Sequence, residues 1–364
     1  MNKIIYLDSA ASAQKPAAVI DAQNAFLRDS YANAGRGICA RAAHVDELVA
    51  TARASVADFI GAAAPHQIVF TSGTTDSMNM IADLIASRVR TVAVSDLDHH
   101  SARLPFMANG RYDVVLMPLD SNFNIDIARV PRADAVIITA MSNVLGVGQD
   151  VAAIVRAARA ANPDVITVVD AAQYVAHEKM DVTGWGADFV CFSGHKIGAD
   201  TGVGVMYIRN PDDYAPVRFG GGMITRIADD GTIMTPAAPD RFEAGTLPLT
   251  QIIGLPYAID AWRAWDGGAD VRHYIYDELA AMTGVRLLTG RDAALISFVV
   301  DGMHALDFGA LVGARGLCLR VGNMCASWIH RALDIPASIR ISNGPWNTPA
   351  DAAAATDIIR GVIK

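Results

Sequence analysis

The chain has 364 residues, of which 52% are hydrophobic, and its formal net charge at pH 7 is -8. The length predicts two domains with a sizeable core, and the acidic balance excludes an electrostatic nucleic-acid or anionic-membrane surface, so small substrates are the better expectation. No apolar run reaches membrane-spanning length, and the first eight residues lack the features of a signal peptide. We therefore predict a cytoplasmic protein.

Neither the histidines nor the cysteines indicate a metal site. The nine histidines form no HExxH motif, and the pair His99-His100 has no obvious third ligand nearby. The four cysteines show no CxxC spacing and no dense framework, so free thiols are expected rather than disulfides. These cysteines are Cys39, Cys191, Cys318 and Cys325.

Strand and helix patterns alternate along most of the chain, which predicts an α/β fold with a largely parallel sheet covered on both faces. The first helix is expected to carry Pro16 in its first turn. Helices are predicted at 15–31, 43–60, 151–161, 250–265, 304–313 and 350–363. Strands are predicted at 67–71, 91–95, 134–141, 165–169, 203–208, 296–300 and 317–321, near Val285, and in the apolar run before Lys196.

The pattern loosens after residue 208. The polar stretch 229–240, which follows three consecutive glycines, predicts a long exposed excursion. The helix at 250–265 is expected to bridge to a second, smaller α+β domain. We predict a large domain of residues 16–262, with residues 1–15 and 263–364 forming the small domain.

The loop after the strand at 67–71 has the composition of a phosphate cradle. It contains Gly73, Thr74 and Thr75 and leads directly into a helical pattern. Unpaired N–H groups at such a helix start, together with the helix dipole, attract a phosphate. A plain helix N-cap explains the same residues equally well. His99, after the next strand, similarly fits either a ring that stacks on an aromatic cofactor or a polar loop histidine.

Lys196 is the residue around which the chain is organised. It lies between two apolar strand patterns, where an isolated ammonium is costly and needs a partner or a chemical use. Asp170 ends the strand at 165–169, where α/β sheets place their ligands. Pyridoxal 5'-phosphate (PLP) enzymes need this pairing, because a lysine holds the aldehyde as an imine and an acid keeps the pyridine nitrogen protonated. Alone, each residue also fits a solvated lysine or a strand-end cap.

In combination, these segments resemble the class V aminotransferase family of fold type I PLP-dependent enzymes, and within it the SUF-type cysteine desulfurases and selenocysteine lyases. The resemblance covers nearly the whole chain. It rests on residues 6–16, Gly73-Thr74-Thr75, His99-His100, residues 142–146, Asp170-Ala171-Ala172-Gln173, Ser193-Gly194-His195-Lys196, and residues 241–246 and 320–326.

The resemblance implies a role for each matching position. Lys196 would form the imine with PLP, and Asp170 would pair with the pyridinium nitrogen. Gln173 would bind the phenolic oxygen, and His99 would stack on the ring and take part in catalysis. The phosphate would be held by Thr74, Thr75, Ser193 and His195, and by Thr246 of a second subunit, so a homodimer is expected. The substrate amino acid would be held by Asn143, Arg320 and Arg340.

Cys325 matches the position of a nucleophile that forms a persulfide. The implied reaction converts L-cysteine to L-alanine and passes the sulfur to an acceptor protein, as in iron-sulfur cluster assembly. Cys325 precedes a helical pattern at 326–333, which can lower the pKa of a thiol. Cys191 and Cys318 are expected in the core. Without the resemblance, a structural role for Cys325 is the simpler interpretation.

Some positions depart from the family pattern. Asn323 and Met324 stand where relatives commonly have two histidines before the nucleophile, and Gly35 stands where many have another histidine. Substrate choice is therefore open between cysteine and selenocysteine. Two alternatives remain: another class V reaction, such as transamination or epimerisation, with Cys325 incidental, and a non-catalytic scaffold that binds sulfur-transfer partners.

Overall fold

The computed structural model describes residues 4–35, 37–108 and 110–363, and the chain forms an α/β fold there. The strands are β1 (Ile5–Tyr6), β2 (Ile68–Thr71), β3 (Thr91–Val94), β4 (Asp113–Leu116), β5 (Ala135–Thr139), β6 (Ile166–Asp170), β7 (Phe189–Ser193), β8 (Gly204–Ile208), β9 (Arg226–Ile227), β10 (Ile233–Met234), β11 (Val285–Leu287), β12 (Ile296–Val300), β13 (Leu317–Cys318), β14 (Arg320–Gly322) and β15 (Ser338–Ile341). The helices are α1 (Ala17–Ala25), α2 (Ala40–Ile60), α3 (Thr74–Leu84), α4 (His100–Met107), α5 (Val151–Ala161), α6 (Val182–Trp185), α7 (Leu249–Arg263), α8 (Ala269–Ala280), α9 (Ala305–Gly313), α10 (Ser327–Ala332) and α11 (Pro349–Ile363).

The largest sheet within the described residues has seven strands in the order β2-β8-β7-β6-β5-β3-β4. Strands β4, β3, β5, β6 and β7 run parallel to one another, whereas β8 is antiparallel to its neighbours β7 and β2. The strands β5 to β8 are buried along their whole length, as expected for a sheet covered on both faces. The predicted α/β fold with a mostly parallel sheet is confirmed.

The two faces of this sheet pack into separate hydrophobic clusters. In β5, Val136 and Ile138 belong to the cluster that includes residues of α1, α2, α5 and α7. Their neighbours Ala135 and Ile137 belong to the cluster that includes residues of α3 and α4. Side chains alternate between faces along a strand, so one buried strand supplies both helix layers. The carboxyl ends of the parallel strands therefore meet at one edge between these layers.

The C-terminal part of the chain forms an antiparallel sheet with the order β11-β12-β15-β14. Its hydrophobic cluster includes Ile275 of α8, Phe308 of α9 and Ile359 of α11. Ile5 and Leu7 from the start of the chain belong to the same cluster. The domain bounds given by the sequence stay a prediction. In the structure, this cluster packs the first residues of the chain against the C-terminal part.

Several element predictions differ from the structure. The strand predicted at 317–321 is two strands, because the chain changes partners: β13 pairs with β1 and β14 with β15. The helix predicted at 15–31 begins at Ala17, since Pro16 is an N-cap with an extended ψ of 145°, and it continues as a π-helix over Phe26–Ser30. The sequence patterns did not predict α4, α8, β4 or β15.

The exposed excursion predicted around 229–240 is present. Strands β9 and β10 pair as a hairpin, and both are exposed. Among the helices of the described residues, none combines the length and the apolar character that crossing a membrane requires.

Candidate active site

A cavity of about 300 Å³ lies at the carboxyl ends of β5, β6 and β7, where α/β sheets bind ligands. Thr246 is exposed and does not line this cavity. The other candidate residues from the sequence all line it: Thr74, Thr75, His99, Asn143, Asp170, Gln173, Ser193, His195, Lys196, Arg320, Cys325 and Arg340.

Lys196 lies in the short 3₁₀ turn that follows β7. Its Nζ donates hydrogen bonds to the carbonyl oxygens of Ala10 at 2.7 Å and Ala11 at 3.2 Å. Burial lowers the pKa of Lys196 to about 8, and the Arg340 guanidinium adds to this lowering. A substantial fraction of this amine is therefore neutral near physiological pH, as a base or a nucleophile must be.

Asp170 is the last residue of β6 and is 4% exposed. Its Oδ1 accepts a hydrogen bond from the backbone N–H of Ala172 at 2.9 Å. Burial raises the pKa of Asp170 to about 6, and the charge of Lys196 opposes this rise. A buried carboxylate that lines a cavity is stabilised by a ligand that brings a cationic N–H group.

The loop at the start of α3 is tied to the end of β7. Ser193 Oγ accepts a hydrogen bond from the backbone N–H of Thr74 at 2.8 Å and contacts Thr74 Oγ1 at 2.8 Å. The loop packs closely on β8, because a Cβ added to Gly204 would lie 2.4 Å from the Cα of Gly73. This arrangement holds hydroxyl groups and the first N–H groups of an 11-residue helix at the cavity.

Two histidines of the cavity are neutral at physiological pH. Burial lowers the pKa of His99 to about 4, with Lys196 as the next cause, and burial also lowers the pKa of His195 to about 4. The Nδ1 of His99 accepts the N–H of Ser101 at 3.1 Å, so its ring proton is on Nε2. Among the described residues, the buried Nδ1 of His195 has no hydrogen-bond partner.

Arg340 lies on the opposite side of the cavity, in β15, and is 2% exposed. It donates from Nη1 to the carbonyl oxygen of Asn143 at 2.8 Å and from Nη2 to Asp8 Oδ1 at 3.3 Å. Its Nε has no hydrogen-bond partner among the described residues. Burial lowers the pKa of Arg340 to about 10, so the group stays cationic and retains one free donor for an anion.

Cys325 is exposed on a loop at the mouth of the cavity. The loop is held on both sides, because Asn143 Nδ2 donates to the carbonyl oxygen of Met324 at 2.7 Å and the N–H of His100 donates to that of Cys325 at 2.7 Å. Met324 and Cys325 have left-handed φ values of 50° and 54°. Such conformations cost roughly 1–3 kcal/mol each in residues other than glycine, so the surrounding contacts fix the position of the thiol.

Two expectations about cysteines need correction. The helix after Cys325 begins at Ser327, not at residue 326, so Cys325 precedes the N-cap and lies outside the first turn. Cys318 is half-buried rather than in the core, because side chains alternate along a strand and Leu317 is the buried residue of β13. Cys191 is buried as expected, and burial raises the pKa of its thiol.

Sequence reasoning missed several residues of the site. Ser101 and Thr139 line the cavity, and Thr139 Oγ1 donates to the buried carboxylate of Asp98 at 2.7 Å. Asp8 contacts both Arg320 and Arg340. The signals were a hydroxyl two residues after His99 and an acid two residues after the end of β1, but neither type of residue points to a site without its distant partner.

Comparisons with known proteins agree with this geometry. The family model described as "Aminotransferase class-V" matches residues 5–354. A probable cysteine desulfurase of Pseudomonas aeruginosa is 36% identical over 96% of this chain and 91% of its own length. A probable cysteine desulfurase of Vibrio cholerae is 33% identical over 95% of this chain and 90% of its own.

A solved structure is similar over the same extent. The crystal structure of the cysteine desulfurase CsdA (S-sulfonic acid) from Escherichia coli matches with a TM-score of 0.90 and 31% identity, and the match covers 99% of this chain and 94% of that one. Since a family model spans residues 5–354 and relatives above 30% identity cover nearly all of the sequence, this protein belongs to the class V aminotransferase family.

Proposed function

We propose that this protein is a PLP-dependent cysteine desulfurase that converts L-cysteine to L-alanine and carries the sulfur as a persulfide on Cys325. The observation that carries the proposal is the meeting, in one cavity, of a buried lysine with a lowered pKa, a buried carboxylate and an exposed thiol on a fixed loop. The proteins named cysteine desulfurases that match nearly the whole chain support the same activity.

The cavity has the polar groups that PLP requires. Buried polar atoms are normally hydrogen-bonded, yet His195 Nδ1 and Gln173 Oε1 have no partner among the described residues. The buried Asp170 would hold the pyridine nitrogen, and Gln173 and His99 would contact the ring. The phosphate would lie among Thr74, Thr75, Ser193 and His195. When bound to Lys196, PLP supplies an electron sink for bonds broken at the substrate Cα.

The chain's own residues supply the acid-base chemistry and the binding of substrate. The Lys196 amine would remove the Cα proton, and its lowered pKa makes it available as a base. Arg340 would bind the substrate carboxylate through its free Nε, close to Arg320. Asn143, whose side chain already holds the Met324 carbonyl, lies between this anchor and the thiol loop.

Cys325 would complete the transfer of sulfur. Its thiolate forms a bond to the substrate sulfur while the bond from Cβ to that sulfur breaks. The electron pair of the broken bond stays with the three-carbon skeleton, which takes up a proton and leaves as alanine. The exposed position of Cys325 at the cavity mouth suits the later attack of an acceptor thiol on the persulfide.

A homodimer is part of the proposal. Thr246 is exposed and outside the cavity of its own chain, which is compatible with a contact to the phosphate in a partner subunit. The exposed apolar side chains of Ile227, Ile233 and Met234 on the β9–β10 hairpin suit burial in an interface. The protein acceptor, a role in iron-sulfur cluster assembly and a cytoplasmic location follow from the family resemblance and stay predictions.

The test is to incubate the purified protein with L-cysteine, PLP and a thiol reductant, and to quantify alanine and sulfide. Cys325→Ser is expected to retain the PLP absorbance and lose sulfur release and transfer. Cys39→Ser is a matched control, because Cys39 is also exposed but does not line the cavity. Full sulfur transfer by Cys325→Ser would instead support another class V reaction with Cys325 incidental.

A further inference from the structure

The carboxylate of Asp8 lies between the two arginines of the cavity. Its Oδ2 is 2.7 Å from Arg320 Nη2, and its Oδ1 is 3.4 Å from Arg320 Nε and 3.3 Å from Arg340 Nη2. Asp8 is 6% exposed and Arg340 is 2% exposed, so solvent screens their pairing only weakly, whereas the Arg320 side chain is half-exposed. The three side chains therefore form one electrostatic unit, which we name the Asp8 cluster.

The fold of the segment around Asp8 does not depend on this carboxylate. The N–H of Ser342 donates to the carbonyl oxygen of Leu7 at 2.9 Å, and the N–H of Ser9 donates to the carbonyl oxygen of Ser342 at 3.2 Å. These backbone bonds align the segment with the end of β15. The hydrogen bonds and ion pairs of the Asp8 carboxylate in the described part of the chain are with the arginines, so its function lies in what it does to them.

The two arginines need a counter-ion. Burial lowers the pKa of Arg340, the nearby Arg320 lowers it further, and Asp8 opposes both effects. Without the carboxylate, two neighbouring cations would repel each other, and one of them is buried. With it, the Asp8 cluster has a net charge of +1, which one substrate carboxylate neutralises.

The contacts also leave one donor of Arg340 available to that carboxylate. Arg340 uses Nη1 for Asn143 and Nη2 for Asp8, whereas its Nε has no partner among the described residues. Nε and Nη2 share the edge of the guanidinium that binds carboxylates in the two-bond arrangement. Asp8 therefore keeps this edge in place while leaving one of its donors free.

We propose that Asp8 is a positioning and specificity residue, which aligns Arg340 and sets the charge of the site so that amino acids with one carboxylate bind in preference to dicarboxylic ones. This inference rests on the proposed function, because that function assigns Arg340 to the substrate carboxylate. The substrate class it selects is the amino acid with an uncharged side chain.

The test compares L-alanine and L-aspartate as ligands of the PLP-loaded enzyme, by calorimetric titration and by competition with L-cysteine. Asp8→Asn keeps the shape of the side chain and raises the cluster charge to +2. We expect Asp8→Asn to weaken the binding of L-alanine. The ratio of the dissociation constants of L-alanine and L-aspartate should change by roughly tenfold in favour of L-aspartate, and KM for L-cysteine should change more than kcat. Asp8→Glu is expected to restore the wild-type ratio.

A second variant, Arg320→Gln, should shift the ratio of the two dissociation constants in the opposite direction. Arg320→Gln lowers the cluster charge to zero at a half-exposed side chain, and the ratio should move toward L-alanine. Asp188→Asn, which removes a mostly buried carboxylate bound to Arg209 and outside the cavity lining, should lower thermal stability without changing the ratio. The inference would be overturned if Asp8→Asn left the ratio unchanged, for example by weakening the binding of both ligands equally. It would also be overturned if Asp8→Asn and Arg320→Gln shifted the ratio in the same direction.

The experiments distinguish a failure of the proposed function from a failure of the role assigned to Asp8. If the wild-type enzyme forms no alanine from L-cysteine, the proposed function is wrong, whereas the calorimetric ratio for the two ligands still reports on Asp8. If alanine forms and the ratio does not respond to the cluster charge, only the assignment of Asp8 is wrong.

Discussion

The two sides of the cavity are built in different ways. One side, the sheet wall, consists of Asp170, Ser193 and Lys196, which lie at the end of β6, at the end of β7 and in the turn after β7. The other side, the C-terminal wall, consists of Arg320, Cys325 and Arg340 and is held by contacts with residues as distant in sequence as Asp8 and Asn143.

This difference suggests a division of labour. The sheet wall lies at the ends of strands that are buried along their whole length, and in the proposed function it holds Lys196, the group that would move protons. The C-terminal wall holds the groups that would bind the substrate and its sulfur. Changes in the sheet wall should therefore act mainly on kcat, and changes at the arginines of the C-terminal wall should act mainly on KM.

The largest effect is expected at Lys196. In the proposed function, Lys196→Ala removes the amine that would bind PLP covalently and take the Cα proton, so alanine formation should fall by about 10³-fold or more. The measurement is alanine release with saturating PLP. Lys15→Ala is the control, because Lys15 also donates to a backbone carbonyl of the N-terminal segment but does not line the cavity. Activity of Lys196→Ala within tenfold of wild type would contradict the role of the sheet wall.

Asp170→Asn should have the next largest effect. The amide keeps the shape of the side chain but cannot stabilise a positive charge on the pyridine nitrogen, and losing one preorganised electrostatic group typically costs about a hundredfold in kcat. PLP absorbance and kcat are measured on the same sample, with Asp188→Asn as the buried control. A change in KM without a change in kcat would contradict the expectation that the sheet wall acts mainly on kcat.

The sheet wall is also the part that the sequence predicted well. Asp170 follows a β-branched run directly, and Lys196 follows an apolar run after three further residues, so a strand pattern and a short offset were enough to bring them to one edge of the sheet. The C-terminal wall had no such pattern. β15, which carries Arg340, was not predicted as a strand, and the contact of Arg340 with Asp8 joins residues 332 positions apart. Only the family resemblance marked Arg340 and Cys325, and it gave Asp8 no role.

Arg340→Lys tests the C-terminal wall. Lysine keeps the charge but loses the planar edge through which Arg340 holds Asp8 with Nη2 and offers Nε to a carboxylate. One charge-assisted hydrogen bond contributes about 1.5–3 kcal/mol, so KM for L-cysteine should rise by roughly 10- to 100-fold while kcat changes little. Steady-state kinetics measure both constants. Arg209→Lys, at an ion pair with Asp188, should leave them unchanged. A loss in kcat alone would show that Arg340 serves the chemistry rather than binding.

The smallest expected effect concerns the pH dependence of PLP capture by Lys196. This pH dependence tests whether the two walls act independently. In the proposed function, the neutral amine of Lys196 would capture the PLP aldehyde. Its pKa is lowered to about 8 by burial and by the charge of Arg340. The rate of capture by the apoenzyme should therefore rise with pH and level off above about 8. Between pH 7 and 9 the neutral fraction rises from roughly one-tenth to nine-tenths, which is about a tenfold gain, whereas an ordinary lysine would gain about a hundredfold without levelling.

Stopped-flow absorbance of PLP capture measures this profile. In Arg340→Met the long side chain is kept and the cation is removed, so the Lys196 ammonium becomes less unfavourable and its pKa should rise. The plateau should then move to higher pH, while Arg209→Met should leave it in place. A plateau that stays near 8 in Arg340→Met would mean that burial alone sets the base and that the two walls act separately. A shift would mean that the residue that anchors the substrate also tunes the base that deprotonates it.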